Sequence, residues 1–300
     1  MSTTLYPPTI LLPSTKSVHQ RALDLLDVAG IKLFRGRGGD TNIPLTGVTW
    51  PQKASFVHQS RIPQLVETGR YILGMVGLDS VRESGADVEV CADLLFNRST
   101  WNKAEIVLVT DQTGGPARIP KGARVLTEYP RLTRAYFEKI GCEVEIVASR
   151  GSIESEIPDP YPYGVCLTET GQSLRANNLR IIGTLMHTST VLIANKGAFR
   201  DDDVRRAVGM FKTILLGVIA AREKVMLVAN VPVTNLNEVL AALPALRSPT
   251  VTALADKKYV SVSVVVPRAD LNYLQERLLI LEAEGLVVMP LTSLIQSREA

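Results

Sequence analysis

The sequence is poor in cysteine, histidine and aromatic residues, and each scarcity closes off a class of function. Three cysteines, Cys91, Cys142 and Cys166, are dispersed without any C-x-x-C spacing. Such a set supports neither a disulfide scaffold nor a zinc site, and it fits a reducing cytoplasm. The three histidines, His19, His58 and His187, stand far apart. A metallohydrolase or a Ser-His-Asp hydrolase therefore has no footing. Aromatic residues make up 5% of the chain, and Trp50 and Trp101 read as packing residues rather than a platform for stacked bases. Basic residues form no block and the formal net charge is only +3, so nucleic acid and membrane surfaces find little to hold. No apolar run approaches the ~20 residues that cross a bilayer. The first eight residues also lack the basic stretch and apolar core of a targeting segment.

What is present is enough for a large core. The chain has 300 residues, 46% hydrophobic and 21% charged, which suits two or three domains. Thr9 to Leu12 reads as a strand ended by Pro13, and Val18 to Val28 as a helix stopped by Gly30. Residues 34–51 read as loop with at most a hairpin. Ala54 to His58 is the next strand, Ile62 to Thr68 a helix opening on Pro63, and Tyr71 to Asp79 a strand and turn. A β-branched run from Ala104 to Asp111 predicts a buried strand entering a second lobe. Thr113 to Pro116 is a turn with no Lys-Ser/Thr pair behind it, so it is not a phosphate loop. Strands at Ala123 to Leu126 and Val144 to Val147 flank a helix from Leu132 to Gly141 with Leu132, Tyr136, Phe137 and Ile140 on one face. That order indicates a parallel sheet covered by helices. Prolines exclude a helix from Ile157 to Tyr163. Asp201 to about Ala221 forms a long helix that joins two bodies, and from Lys224 the pattern βαββαβ is ferredoxin-like.

The most informative stretch runs from Gly164 to Leu179, Gly-Val-Cys-Leu-Thr-Glu-Thr-Gly-Gln-Ser-Leu-Arg-Ala-Asn-Asn-Leu. A short apolar strand passes at Thr170-Gly171 into a helix, leaving backbone N–H groups and hydroxyls aimed outward as an anion site. This stretch resembles the phosphoribosyl-diphosphate loop of the ATP phosphoribosyltransferases, and three further segments resemble the same family in the same order. They are Arg124 to Phe137, Gly151-Ser-Ile-Glu154, and Ser248 to Asp256, the last in a domain carried only by the long form.

The resemblance implies an α/β fold with a two-lobed periplasmic-binding-protein-like (type II) catalytic part and a C-terminal ferredoxin-like (ACT-like) regulatory domain. Residues 1–97 and 180–200 would form lobe I, 98–179 lobe II, 201–223 a connecting helix and 224–300 the histidine-binding domain. It further implies a cytoplasmic, hexameric transferase that condenses ATP with phosphoribosyl diphosphate, uses Mg2+ and is regulated by histidine. Its catalytic residues would be Glu154 and Glu169. Thr168, Thr170, Gly171, Gln172, Ser173 and Leu174 would bind phosphoribosyl diphosphate, and Lys16, Gly77, Asp79, Glu128 and Tyr129 the nucleotide. Asn230, Ser248, Thr250, Val251 and Thr252 would bind the effector.

The chain departs from the family pattern at three places. Cys166 replaces an acid four residues before the Thr of Thr-Gly, Arg61 replaces another, and Ser14-Thr-Lys-Ser17 stands where Asn-Lys-Gly-Arg is usual. Two readings remain open. Either the enzyme is active with acids supplied from Glu169, Asp79 or Asp93, or it is a catalytically weak relative that binds the ligands and acts through binding. On the sequence alone, Cys166→Asp is expected to raise turnover.

Overall fold

The computed structural model describes residues 8–34, 41–96, 103–111, 119–149, 151, 153–244 and 248–296. The turn at 113–116, Ser152 and the Lys16 side chain lie outside these described parts. The chain divides into two compact units, 1–212 and 213–300.

The first sheet is built on β1 (Thr9–Pro13), whose five residues are all buried. Ile10, Leu11 and Leu12 are 0% exposed, and burying each contributes roughly 1.5–3 kcal/mol. Next come α1 (Lys16–Val28), β2 (Lys32–Leu33) and β3 (Ile43–Thr46), the last two antiparallel, with β2 lying just before the 34–51 stretch read as loop. After these follow β4 (Lys53–Val57), α2 (Ile62–Glu67), β5 (Leu73–Gly77), α3 (Leu78–Ser84) and β6 (Val88–Asp93). Neither α3 nor β6 was legible. The helix has seven residues, and its stop signal is Gly85 in the left-handed region at φ 68°. A segment that short carries too few turns for a periodicity to show.

The second lobe contains β7 (Ala104–Asp111), β8 (Ala123–Thr127), α4 (Pro130–Lys139), β9 (Val144–Ala148), β10 (Tyr163–Thr168), α5 (Gln172–Ala176) and β11 (Leu179–Thr188). The sheet order is β11-β7-β10-β8-β9. Strand β12 (Thr190–Asn195) then returns to the first sheet, inserted between β5 and β6. The crossing back therefore falls at Ser189 rather than near 180, because β11 pairs along its whole length with β7. At the crossing the two passages of chain are tied together. The Leu94 N–H donates to the Thr190 carbonyl and the Thr190 N–H to the Phe96 carbonyl, each at 2.8 Å. On α4 the buried residues are Thr133 and Phe137. Ile140, expected on that face, is 50% exposed because the helix ends at Lys139 and the chain turns at Gly141 (φ 67°).

A long helix, α6 (Asp202–Arg222), contains the division between the units. The second unit adds β13 (Lys224–Pro232), α7 (Leu236–Ala242), β14 (Thr250–Ala253), β15 (Tyr259–Pro267), α8 (Leu271–Ile280) and β16 (Glu284–Pro290). Its sheet order β14-β15-β13-β16 is antiparallel throughout and ferredoxin-like. Val225, Leu227, Ala229 and Val231 alternate along β13 onto one face, where Val239 of α7 and Leu274 and Leu278 of α8 cover them. The whole is an α/β protein whose first part has two lobes, each built on its own sheet, and whose second part is ferredoxin-like.

Candidate active site

In the second lobe β8, β9 and β10 run parallel, so their C-terminal ends share one edge of the sheet. That edge is where open α/β sheets place their ligands. It carries Glu128 and Tyr129 after β8, Glu154 on a single 3-10 turn (Glu154–Glu156) beyond β9, and the loop Thr168 to Gly171 after β10. The turn bearing Glu128 is held rigidly. Buried Thr127 donates its hydroxyl to the Val165 carbonyl (3.3 Å) and accepts from the Tyr129 N–H (2.8 Å) and the Thr133 hydroxyl (3.0 Å). In the first lobe β1, β4 and β5 are likewise parallel, so Lys16, Arg61 and the Gly77–Asp79 turn follow strand ends on one edge.

The two edges meet at Asp79. This carboxylate is 5% exposed. It accepts from the Thr188 hydroxyl at 2.9 Å and from the Tyr129 hydroxyl at 3.4 Å, while its own N–H donates to Thr188 Oγ1 at 3.0 Å. Gly77 is the only kind of residue that fits beside it, since a Cβ there would come within 2.3 Å of Asp79 Oδ1. Thus Gly77, Asp79 and Tyr129, all expected on the nucleotide side, come together. Thr188 carried no sequence signal, because its partner is 109 residues away. Asp93 belongs to the crossing instead, where it accepts from the Ser189 hydroxyl at 2.5 Å and pairs with Lys103 at 3.6 Å.

The loop after β10 differs from the expected helix N-terminus in one respect. α5 has only five residues, so its dipole is a small fraction of a long helix's. Its first-turn N–H groups still have no partner within the helix. Gly171 sits at φ 68° and donates its N–H to Thr168 Oγ1 at 3.2 Å. Arg175, which the sequence reading passed over, folds back and donates from Nη2 to the Thr170 carbonyl at 2.9 Å. Its guanidinium adds to the loop a full charge that the short helix does not provide. Thr170, Gln172 and Ser173 are exposed, and Glu169 is half-buried. The Leu174 side chain, expected at the substrate, is instead buried with Val107, Val109, Ile153 and Leu179 as core.

Cys166, the departure of greatest concern, is 4% exposed in the same cluster. Burial first, then the carboxylates of Glu154 and Glu128, push its thiol up to about 12. Both carboxylates therefore act electrostatically on the side chain at position 166. Cys91 is also raised to about 12, by burial and by Glu89, against the opposing pull of Lys212. Since the thiolate is the reactive form, Cys166 and Cys91 should resist iodoacetamide at pH 8 in the native protein and react after unfolding. Native labelling of Cys166 at the rate of a free thiol would contradict this environment. In both cases the folded pKa exceeds the unfolded one, so the contribution to stability is intact below about pH 9 and is lost as pH rises toward 12.

In the second unit Thr252, Ser261 and Asn230 lie in register across β14, β15 and β13. Thr252 and Asn230 are thus two strand spacings apart, about 9.6 Å, on one face. Ser261 between them was not anticipated. Thr250 lies opposite Ser263, while Val251 projects to the other face. Ser248 precedes the strand and is exposed. Gly285, at φ 61°, leaves room for Asn230, whose Nδ2 a Cβ there would approach to 3.1 Å. Among the described residues no group of three or more His, Cys, Asp or Glu is placed to hold a metal. No helix among them is long and apolar enough to cross a membrane.

Residues 58–215 match the family profile described as ATP phosphoribosyltransferase, and 221–293 match that of the HisG C-terminal domain. The chain is 33% identical over 302 residues to the ATP phosphoribosyltransferase of Methanopyrus kandleri, covering 96% of this chain and 99% of that protein. It is 33% identical over 245 residues to that of Pelodictyon phaeoclathratiforme, covering 81% and 83%. Among solved structures it resembles the ATP phosphoribosyl transferase (HisG:HisZ) complex from Thermotoga maritima with a TM-score of 0.59 at 23% identity, over 71% of this chain and 98% of that one. At that identity the likeness speaks to fold alone.

Proposed function

The chain belongs to the ATP phosphoribosyltransferase family, and on that premise we propose that the paired strand edges are where it joins ATP to phosphoribosyl diphosphate in the first step of histidine biosynthesis. N1 of the adenine attacks C1 of the ribose, the bond from C1 to the diphosphate oxygen breaks, and pyrophosphate leaves. Positive charge develops on the ribose ring and negative charge on the leaving group, so the protein must supply donors, carboxylates and orientation rather than a nucleophile. Thr168, Thr170, Gly171, Gln172 and Ser173, with Arg175 beside them, hold the 5′-phosphate. Glu154 faces the ribose, and Glu169 flanks it. Lys16, Gly77, Asp79, Glu128 and Tyr129 serve the nucleotide from the first edge and its junction with the second.

The observation that carries this reading is the gathering of Glu128, Glu154 and the Thr168–Gly171 loop beyond the C-terminal ends of three parallel strands. The carboxylates of Glu128 and Glu154, in the turns beyond β8 and β9, act electrostatically on position 166, so acid charge is felt there without an acid at 166, which supports turnover over a purely binding role. The family uses a metal, and the donor set here suits Mg2+ arriving with the diphosphate. Magnesium is commonly held by one or two carboxylates plus substrate phosphates rather than by an all-protein cage, and Glu154 and Glu128 are two such oxygen donors. When bound, it neutralises charge on the departing diphosphate.

The same proposal assigns residues 1–97 and 189–200, with 98–188 as the second lobe, to catalysis. The domain from 224 is regulatory, with histidine held at Asn230, Ser248, Thr250, Val251 and Thr252 in a hexamer. Three free thiols suit the cytoplasm.

The test is pyrophosphate release with ATP, phosphoribosyl diphosphate and Mg2+, run with and without histidine. Release should require both substrates and slow at millimolar histidine, and Thr252→Trp should abolish the slowing. No release above an ATP-only control overturns the catalytic reading. Release indifferent to histidine overturns the regulatory one.

A further inference from the structure

A second junction between the lobes lies beside Asp79, where the C-terminal end of α3 faces the N-terminal end of α4. The first turn of α4 has orphan N–H groups, and its N-cap residue, Tyr129, makes no side-chain cap. Those groups are satisfied from the other lobe. Glu83 of α3 accepts from the Arg131 N–H through Oε1 at 2.9 Å and from the Leu132 N–H through Oε2 at 3.0 Å. Both oxygens of one carboxylate are thus committed across the lobes, to residues 48 and 49 positions away. The reciprocal contact is also there. Arg131 lays its guanidinium against Gly85, the left-handed cap of α3, so closely that a Cβ on Gly85 would come within 2.6 Å of it. An anion faces the positive end of one helix and a cation the negative end of the other, and both pairings favour the same approach.

We propose that Glu83 is a positioning residue for the transferase reaction: by capping α4 from the opposite lobe it sets the angle at which Tyr129 meets Asp79, and with it the placing of the adjoining Glu128, and so the population of the substrate-competent arrangement. Glu128 and Tyr129 immediately precede α4, so a rigid shift of that helix carries them. Tyr129 then loses its reach to Asp79. The inference rests on the activity proposed above and adds the control of its lobe angle.

The consequence for kinetics is specific. If only a fraction of molecules holds the competent angle, apparent affinity falls by that fraction while chemistry in the closed complex is unchanged. Glu83→Ala should therefore raise KM for ATP and phosphoribosyl diphosphate by about tenfold, with kcat within about twofold of the native enzyme. Glu83→Gln, which keeps one acceptor and the size of the side chain, should fall between and guards against a folding failure in the alanine variant. Arg131→Ala should shift KM in the same direction, and the double variant should be no worse than Glu83→Ala alone, because the two act on one junction. Calorimetric Kd values for each substrate, measured on the same proteins, keep the test independent of turnover. If the native enzyme releases no pyrophosphate, the activity reading fails while the Kd comparison still judges Glu83. A lower melting temperature with unchanged KM and Kd would make Glu83 a helix cap only and overturn the proposal, as would loss confined to kcat.

Discussion

Replacing Cys166 by aspartate should lower both stability and turnover. The family pattern argues the opposite, since the substitution restores the usual acid. The surroundings decide otherwise: position 166 is 4% exposed, packed by Val107, Val109, Leu126 and Leu174, with Glu154 and Glu128 as its charged neighbours. A third carboxylate there is buried and is repelled by two acids. An uncompensated buried charge costs about 3 kcal/mol or more, and for the unit spanning 1–212 that lowers the melting temperature by roughly 6–12 °C. Burial and like charge both raise the new acid's folded pKa above its unfolded value. Stability is then closest to native at pH 4 and falls as pH rises between the two values. Melting curves at pH 5 and pH 8 check this. A variant as stable as the native protein at pH 8 and faster in pyrophosphate release would show that the site lacks an acid after all.

Glu154→Gln should reduce pyrophosphate release by about 10²–10³-fold, the usual cost of removing one interaction that strengthens as transition-state charge develops. The substitution keeps size and most of the hydrogen bonding while removing the charge. Because Glu154 is one of the groups that raise the Cys166 thiol, the same variant should move that thiol's titration downward from about 12. Thiolate absorbance near 240 nm reads this without any reference to activity. A Glu154→Gln enzyme with near-native turnover would remove this residue from the reaction. An unshifted thiol would show that the Glu154 charge does not act on Cys166.

The sequence announced whole elements more readily than the contacts between them. The all-apolar β1, the prolines around 157–163 and the alternation in β13 each follow from local pattern, so each could be read in place. The strand-turn-helix at Gly171 was equally local, although its charge comes from Arg175 more than from the five-residue α5. Hidden were the pairings made over long separations. Thr188 with Asp79 and Glu83 with α4 depend on where two lobes touch, and no periodicity encodes that. The meaning of Cys166 was hidden for the same reason. Its replacement looks like damage until the electrostatic effect of Glu128 and Glu154, 38 and 12 positions earlier in the chain, is taken into account.

Placing β12 between β5 and β6 has a consequence for how the chain is made. Strand β6 (Val88–Asp93) has β12 as its neighbour in the sheet, and β12 (Thr190–Asn195) follows the entire second lobe. As the chain leaves the ribosome, β6 waits unpaired while about a hundred further residues are added, some 5–20 s at usual elongation rates. The second lobe, whose strands lie within one continuous stretch, can fold in that interval. The first lobe closes only afterwards, so the part that begins the chain is finished second.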